Sequence, residues 1–121
     1  MTESLQENIA ESVAENVGQS KARFMARLRA QYLQLINTDL PQKAKQTHMP
    51  VRFNHCFARI VLDNLFKDCW YRHLSKKEAA YKQLNEQQLQ QAIELARSML
   101  DDSQKSYQLN QNSLKWRGKL R

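Results

Sequence analysis

The sequence predicts an all-α protein, a small irregular bundle of four to five helices with an N-terminal amphipathic helix extended from the body. Two observations favour this fold class. Only two glycines and two prolines occur among the 121 residues, and none lies between Val51 and Arg117, whereas β-hairpins need such turn residues. Apolar residues also recur at the spacing of one helix face along most of the chain. The length allows one domain with a modest core.

Residues 1–19 form an acidic segment with two parallel stripes at helical spacing. The apolar stripe comprises Leu5, Ile9, Val13 and Val17. The acidic stripe comprises Glu3, Glu7, Glu11 and Glu15. A helix with so narrow an apolar face is marginal alone and needs a partner surface. Two interpretations remain open: a helix that binds a protein partner or a second copy of the chain, and an acidic tail without fixed structure.

Residues 20–114 are predicted to form the helical domain, which begins with a basic amphipathic helix. Ser20 is a suitable N-cap for a helix from Lys21 to about Asn37. The apolar face of this helix comprises Phe24, Leu28, Tyr32, Leu35 and Ile36. A non-helical linker is expected at 38–50, because this stretch is polar and carries both prolines.

The most apolar segment, residues 51–74, predicts one long helix or two short ones with a bend near Asp63 and Asn64. Its core-facing stripe is expected to comprise Phe53, Cys56, Phe57, Ile60, Val61 and Leu65, extended by Phe66, Trp70 and Leu74. A polar connection is expected to follow at 75–84.

The next helix has the clearest start signal in the chain. Asn85 and Gln88 can form a capping box, and Leu84 and Leu89 are spaced as a hydrophobic staple. The expected buried face is Leu89, Ala92, Ile93, Ala96, Met99 and Leu100. A last helix, capped by Asp101, Asp102 or Ser103, is expected to place Tyr107, Gln111 and Leu114 on one side, ahead of a basic tail at 115–121.

Positive charge is concentrated outside the N-terminal segment. The net charge is +7, but the first 20 residues hold four glutamates and no lysine or arginine, so the remainder carries +11. A body of this charge attracts polyanions such as RNA, DNA or an acidic protein surface. The chain has no apolar stretch of membrane-spanning length and no signal-peptide pattern at its acidic N-terminus. We therefore expect a cytoplasmic protein with reduced cysteines and no membrane partner.

Four basic patches favour a nucleic-acid partner: residues 21–29, the lysines at 43 and 45, those at 76 and 77, and the tail. Trp116 lies between two cations, where its ring could stack on a base; alternatively, it packs on the bundle and the tail is solvated. The predicted nucleic-acid contacts are Arg23, Arg27, Arg29, Lys43, Lys45, Lys115, Trp116, Arg117, Lys119 and Arg121.

Four residues, His55, Cys56, Cys69 and His73, are of types that bind zinc or act as nucleophile and base. On one straight helix, Cys56 and Cys69 would lie about 20 Å apart, too far for a shared metal ion. His55 and Cys56 are adjacent, so they would not face each other. We expect small buried thiols and polar histidines here, with no metal or other cofactor. Two isolated glycines also cannot form a phosphate-binding loop.

The sequence therefore favours a non-catalytic binding protein that associates with RNA or with a ribonucleoprotein such as the ribosome. The alternative is a helical interaction module or inhibitor that docks on an acidic protein, using the apolar stripe of residues 4–17. An enzyme or metalloprotein built on the cysteines and histidines is a third hypothesis.

Overall fold

The computed structural model describes residues 20–119, which form a helical bundle with no strand in that range. The helices are α1 (residues 20–34), α2 (Leu40–Gln46), α3 (Asn54–Phe66), α4 (Glu86–Asp101) and α5 (Ser103–Trp116), with 3-10 turns at Trp70–Arg72 and Ala80–Gln83. The predicted all-α bundle is confirmed. The acidic segment at 1–19, with Leu5, Ile9, Val13 and Val17, lies outside the described residues, as does Arg121.

The core forms where α3 packs against both α4 and α5. The π-helical turn after α1 also contacts α3 and α4, so the N-terminal helical arm closes the third side of the core. The core residues with no accessible surface are Leu40, Phe57, Ile60, Val61, Leu89, Ala92, Ala96 and Met99. Burial of these side chains is the main source of stability, at about 1.5–3 kcal/mol for each large aliphatic or aromatic residue.

The first helical arm is longer than predicted, because it passes through Pro41 without breaking. A π-helical turn at Leu35–Asp39 joins α1 to α2, and the amide of Leu40 donates to the carbonyl of Leu35. Proline lacks an N–H, and its ring normally clashes with the carbonyl four residues earlier. The wider π-turn immediately before Pro41 accommodates both effects. The linker predicted at 38–50 is therefore helical as far as Gln46, and only residues 47–50 are non-helical.

The segment at 51–74 contains one helix that ends earlier than predicted. α3 stops at Phe66, because Lys67 adopts a left-handed conformation with φ 54° and ψ 39°. Of the two predicted alternatives, that of two short helices with a bend near Asp63 and Asn64 is wrong, since both residues lie inside one helix. Phe53 was expected in the core but is 63% exposed, because it precedes the first turn of α3.

The start of α4 matches its prediction in detail. The side chain of Asn85 accepts from the amide of Gln88 at 2.8 Å, and the side chain of Gln88 accepts from the amide of Asn85 at 2.9 Å. Leu84 and Leu89 are both buried, as expected for a staple. The predicted buried face of α4 is correct except that Leu100 is only half-buried.

Helix α5 turns a different face to the core from the one predicted. Asp102 caps it by accepting from the amide of Gln104 at 3.0 Å. Its buried residues are Ser106, Leu109 and Ser113, whereas Tyr107 and Leu114 are half-buried and Gln111 is exposed. Small serine side chains allow α5 to approach α3 closely, and their hydroxyls are hydrogen-bonded inside the protein.

Among residues 20–119, no helix combines the length and apolar character needed to cross a bilayer.

Candidate nucleic-acid interface

A single buried carboxylate organises the surface beside the C-terminal end of α5. Asp63 lies on α3 and has no accessible surface. Its Oδ2 accepts from the Ser113 hydroxyl at 2.6 Å and from Nε of Arg117 at 2.6 Å. Its Oδ1 accepts from the backbone amide of Trp70 at 2.9 Å and from Nη2 of Arg117 at 3.2 Å. Four donors therefore satisfy this carboxylate, as a buried charge requires.

Arg117 is fixed in place by Asp63 at the end of α5. The hydrogen bonds that Arg117 donates to Asp63 raise the pKa of the guanidinium above its ordinary value, although partial burial opposes this. The guanidinium carbon also lies 4.7 Å from the centre of the Tyr71 ring, a cation–π distance. Sequence analysis placed Arg117 among the phosphate contacts, and the structure shows that much of its donor capacity is used internally.

Tyr71 is an exposed aromatic ring surrounded by cations. It is 44% exposed, and Nζ of Lys76 lies 3.9 Å from the ring centre. The neighbouring Arg72 pairs with Asp68 at 3.1 Å, but its side chain is 70% exposed. The left-handed turn at Lys67 brings this segment back along α3, which places Tyr71 beside Arg117.

A turn at Gly118 directs the last described residue toward the same surface. Gly118 has φ 69°, a conformation that glycine adopts without steric cost. The amide of Gly118 donates to the carbonyl of Lys115 at 3.0 Å, and that of Lys119 donates to the carbonyl of Leu114 at 2.8 Å. These bonds satisfy carbonyls at the end of α5 and form a left-handed helix stop.

The result is a concave surface of about 610 Å³ between the segment after α3 and the end of α5. We call it the basic groove, and its lining residues are Cys69, Tyr71, Arg72, Lys115, Trp116, Arg117, Gly118 and Lys119. Four cations and two aromatic rings thus line one depression, and no carboxylate is among the lining residues. Such a surface can hold a chain of phosphates and present rings to bases.

The structure divides the residues that sequence analysis assigned to nucleic-acid binding. Lys115, Trp116, Arg117 and Lys119 come together in the basic groove. The predicted residues on the helical arm do not line it: Arg23, Arg27 and Lys45 are exposed elsewhere, and Arg29 and Lys43 are half-buried. Nζ of Lys43 donates to the carbonyl of Leu100, which satisfies a free carbonyl in the last turn of α4.

Two residues that line the basic groove, Tyr71 and Arg72, were not predicted as contacts. The aromatic and basic run at 70–72 could have suggested them. Their position next to the tail depends on the bond between Asp63 and Trp70, which no local pattern reveals.

The cysteines and histidines considered for a metal site are dispersed. Cys56 lies in α3 and Cys69 follows the end of that helix, and both are free thiols. His73 is bonded to Asp68 at 3.1 Å, and the ring of His55 stacks on Phe53. Within the described range, no group of three or more metal-binding side chains is close enough to hold an ion.

No family model matches this chain, and no curated protein or solved structure matches it either.

Proposed function

We propose that this protein is a non-catalytic RNA-binding protein that associates with RNA or a ribonucleoprotein through the basic groove. The observation that carries the proposal is the convergence of Arg72, Lys115, Arg117 and Lys119 on one concave surface. These residues come from two segments more than 40 positions apart in the chain, so the local sequence alone does not explain their proximity.

Aromatic side chains in the groove favour RNA with unpaired bases over a uniform duplex. Trp116 and Tyr71 both line the groove, and stacking of a base on an aromatic ring contributes about 1–3 kcal/mol. Duplex RNA hides its bases and is recognised by shape and backbone instead. Cations beside aromatic rings are the combination expected for single-stranded segments or loops.

The test is an RNA titration over a range of salt concentrations with charge-neutralised variants. Lys115 and Lys119 are exposed, so Lys115→Gln with Lys119→Gln should leave the fold intact. If each lysine contacts one phosphate of a single strand, the slope of log K against log salt should become shallower by about 1.4. Fluorescence anisotropy of a labelled oligoribonucleotide measures this slope.

The matched control is Arg23→Gln with Arg27→Gln, which removes the same charge from exposed positions of α1 that do not line the groove. This control should keep a slope close to that of the wild type. An equal change of the salt slope in both double variants would contradict a localised interface. Absence of RNA binding at low salt would overturn the proposal, and binding to an acidic protein in its place would favour the interaction-module alternative.

A further inference from the structure

A second depression, which we call the aromatic groove, lies between α1, the first half of α3 and the segment at 70–81. Its volume is about 490 Å³, within the range of small-molecule sites. Aromatic and aliphatic side chains dominate its walls, among them Tyr32, Ile36, Leu62, Trp70, Tyr71 and Tyr81. A flat aromatic ligand matches such walls better than a flexible aliphatic one, because stacked or edge-on rings are favoured.

A largely buried tyrosine lines this groove. Tyr32 is only 3% exposed, and none of the hydrogen bonds formed within residues 20–119 involves its hydroxyl. Burial raises the pKa of this phenol, so it keeps its proton and remains a hydrogen-bond donor. This hydroxyl is therefore available to donate to the polar edge of a ligand in the groove.

One guanidinium lines the aromatic groove and can donate to a ligand. Arg59 lines it and donates to Ser113 at 2.7 Å and to Asn110 at 2.9 Å, but no described carboxylate is close enough to pair with it. Burial, followed by the neighbouring charge of Arg117, lowers the pKa of this guanidinium, and the nearby charge of Asp63 opposes this shift. The carboxylate of Glu78 also lines the groove, at an exposed position.

The two grooves are adjacent, because Tyr71 lines both of them. A strand with its phosphates in the basic groove would therefore pass the mouth of the aromatic groove. We propose that the aromatic groove accepts one unpaired base of single-stranded RNA, with the polar edge of the base toward the Tyr32 hydroxyl. This inference rests on the proposed function and adds to it a defined pocket for one unpaired base.

The test compares a labelled oligouridylate with an RNA duplex of the same length, each measured by anisotropy at one salt concentration. The wild type should bind the single strand about tenfold more tightly, since one stacked base contributes about 1–3 kcal/mol. Ala58 lines the groove, so Ala58→Phe should fill it. That variant should lose most of the preference while keeping its affinity for the duplex.

Two further variants test whether misfolding, rather than filling of the groove, causes the loss of single-strand preference. Tyr32→Phe keeps the ring and removes only the hydroxyl, so it should fold normally and weaken single-strand binding by about threefold to tenfold. Ala26→Phe adds the same ring at an exposed position of α1 outside the groove and should behave as the wild type.

The outcomes separate this inference from the proposed function. If neither RNA binds, the proposed function fails. If both bind with equal affinity, or if Ala58→Phe and Tyr32→Phe both retain the full single-strand preference, the basic groove remains an RNA site and the base pocket is refuted.

Discussion

At the scale of single residues, Asp63 is the buried carboxylate that lies beneath the basic groove. It joins α3 to the backbone of Trp70, to Ser113 on α5 and to Arg117 beyond it. Buried ion pairs of this kind contribute little net stability compared with apolar packing, but removing one partner leaves the other uncompensated. We therefore interpret Asp63 as a group that specifies one arrangement of these segments.

Removing either member of this ion pair should lower the free energy of unfolding. Removing both members should lower it by less than the sum of the two single losses. Asp63→Asn and Arg117→Gln should each lower the free energy of unfolding by about 3 kcal/mol, because each leaves a desolvated charge unpaired. The double variant should show a coupling energy of about 1–3 kcal/mol. Urea denaturation of the four proteins measures the cycle, and strictly additive losses would refute the direct pairing.

Asp68 provides a pH-dependent prediction at the same scale. Partial desolvation would raise the pKa of its carboxyl, but the hydrogen bonds from His73 and from the Cys69 amide, with the charge of Arg72, outweigh it and lower the pKa. A carboxyl with a lowered folded-state pKa stabilises the fold above its unfolded pKa, and this contribution is lost as the pH falls through the folded value.

The carboxyl carbon of Asp68, followed by NMR, should titrate below the ordinary aspartate value. His73→Gln should move the midpoint upward, because it removes the hydrogen bond that lowers the pKa of Asp68 most. His48→Gln is the control, since His48 is bonded to Tyr107 instead and should leave the midpoint unchanged. A midpoint at or above the ordinary value in the wild type would contradict the described contacts.

At the scale of elements, the stop of α3 decides where the groove forms. Lys67 is the only non-glycine residue with positive φ in the described range. Its amide and that of Asp68 are both bonded to the carbonyl of Asp63, the latter at 3.1 Å, so the chain reverses there and carries Tyr71 back along the helix. A lysine in this conformation is strained, because Cβ approaches the backbone carbonyl.

Lys67→Gly should raise the free energy of unfolding by about 0.5–1 kcal/mol, because glycine adopts the left-handed conformation without that strain. Lys67→Ala is the matched control, since it removes the charge but keeps Cβ, and it should show no such gain. The urea midpoint should rise with an unchanged m-value. A loss of stability in Lys67→Gly would show that the left-handed stop is not strained.

Local sequence patterns predicted helix α4 better than helix α5. The cap and buried face of α4 could be predicted because apolar periodicity and capping chemistry agree there. The buried face of α5 could not, because Ser106 and Ser113 look like solvent-facing residues unless Asp63 and the close approach of α3 are known. Pro41 misled the prediction in a related way, since a π-turn that accommodates proline leaves no local signature.

At the scale of the whole molecule, the all-α class followed from the scarcity of turn residues and from helical periodicity, both of which are summed over many positions. Only part of the basic groove could be predicted from the sequence. The cluster Lys115, Trp116, Arg117 and Lys119 is contiguous and could be identified by composition, whereas Tyr71 and Arg72 join it only through tertiary contacts. Positive charge on the helical arm, by contrast, lies outside the groove, so net charge alone overstated the extent of the proposed interface.

The pairing of Asp63 with Arg117 spans 54 positions, and this separation has a consequence for synthesis. A chain that emerges from the ribosome N-terminus first presents α3 well before its ion-pair partner has been translated. During that interval the carboxylate must stay hydrated, so the face of α3 that receives α5 cannot close. The ion pair that joins α3 to the end of α5 therefore forms only after Arg117 has been translated.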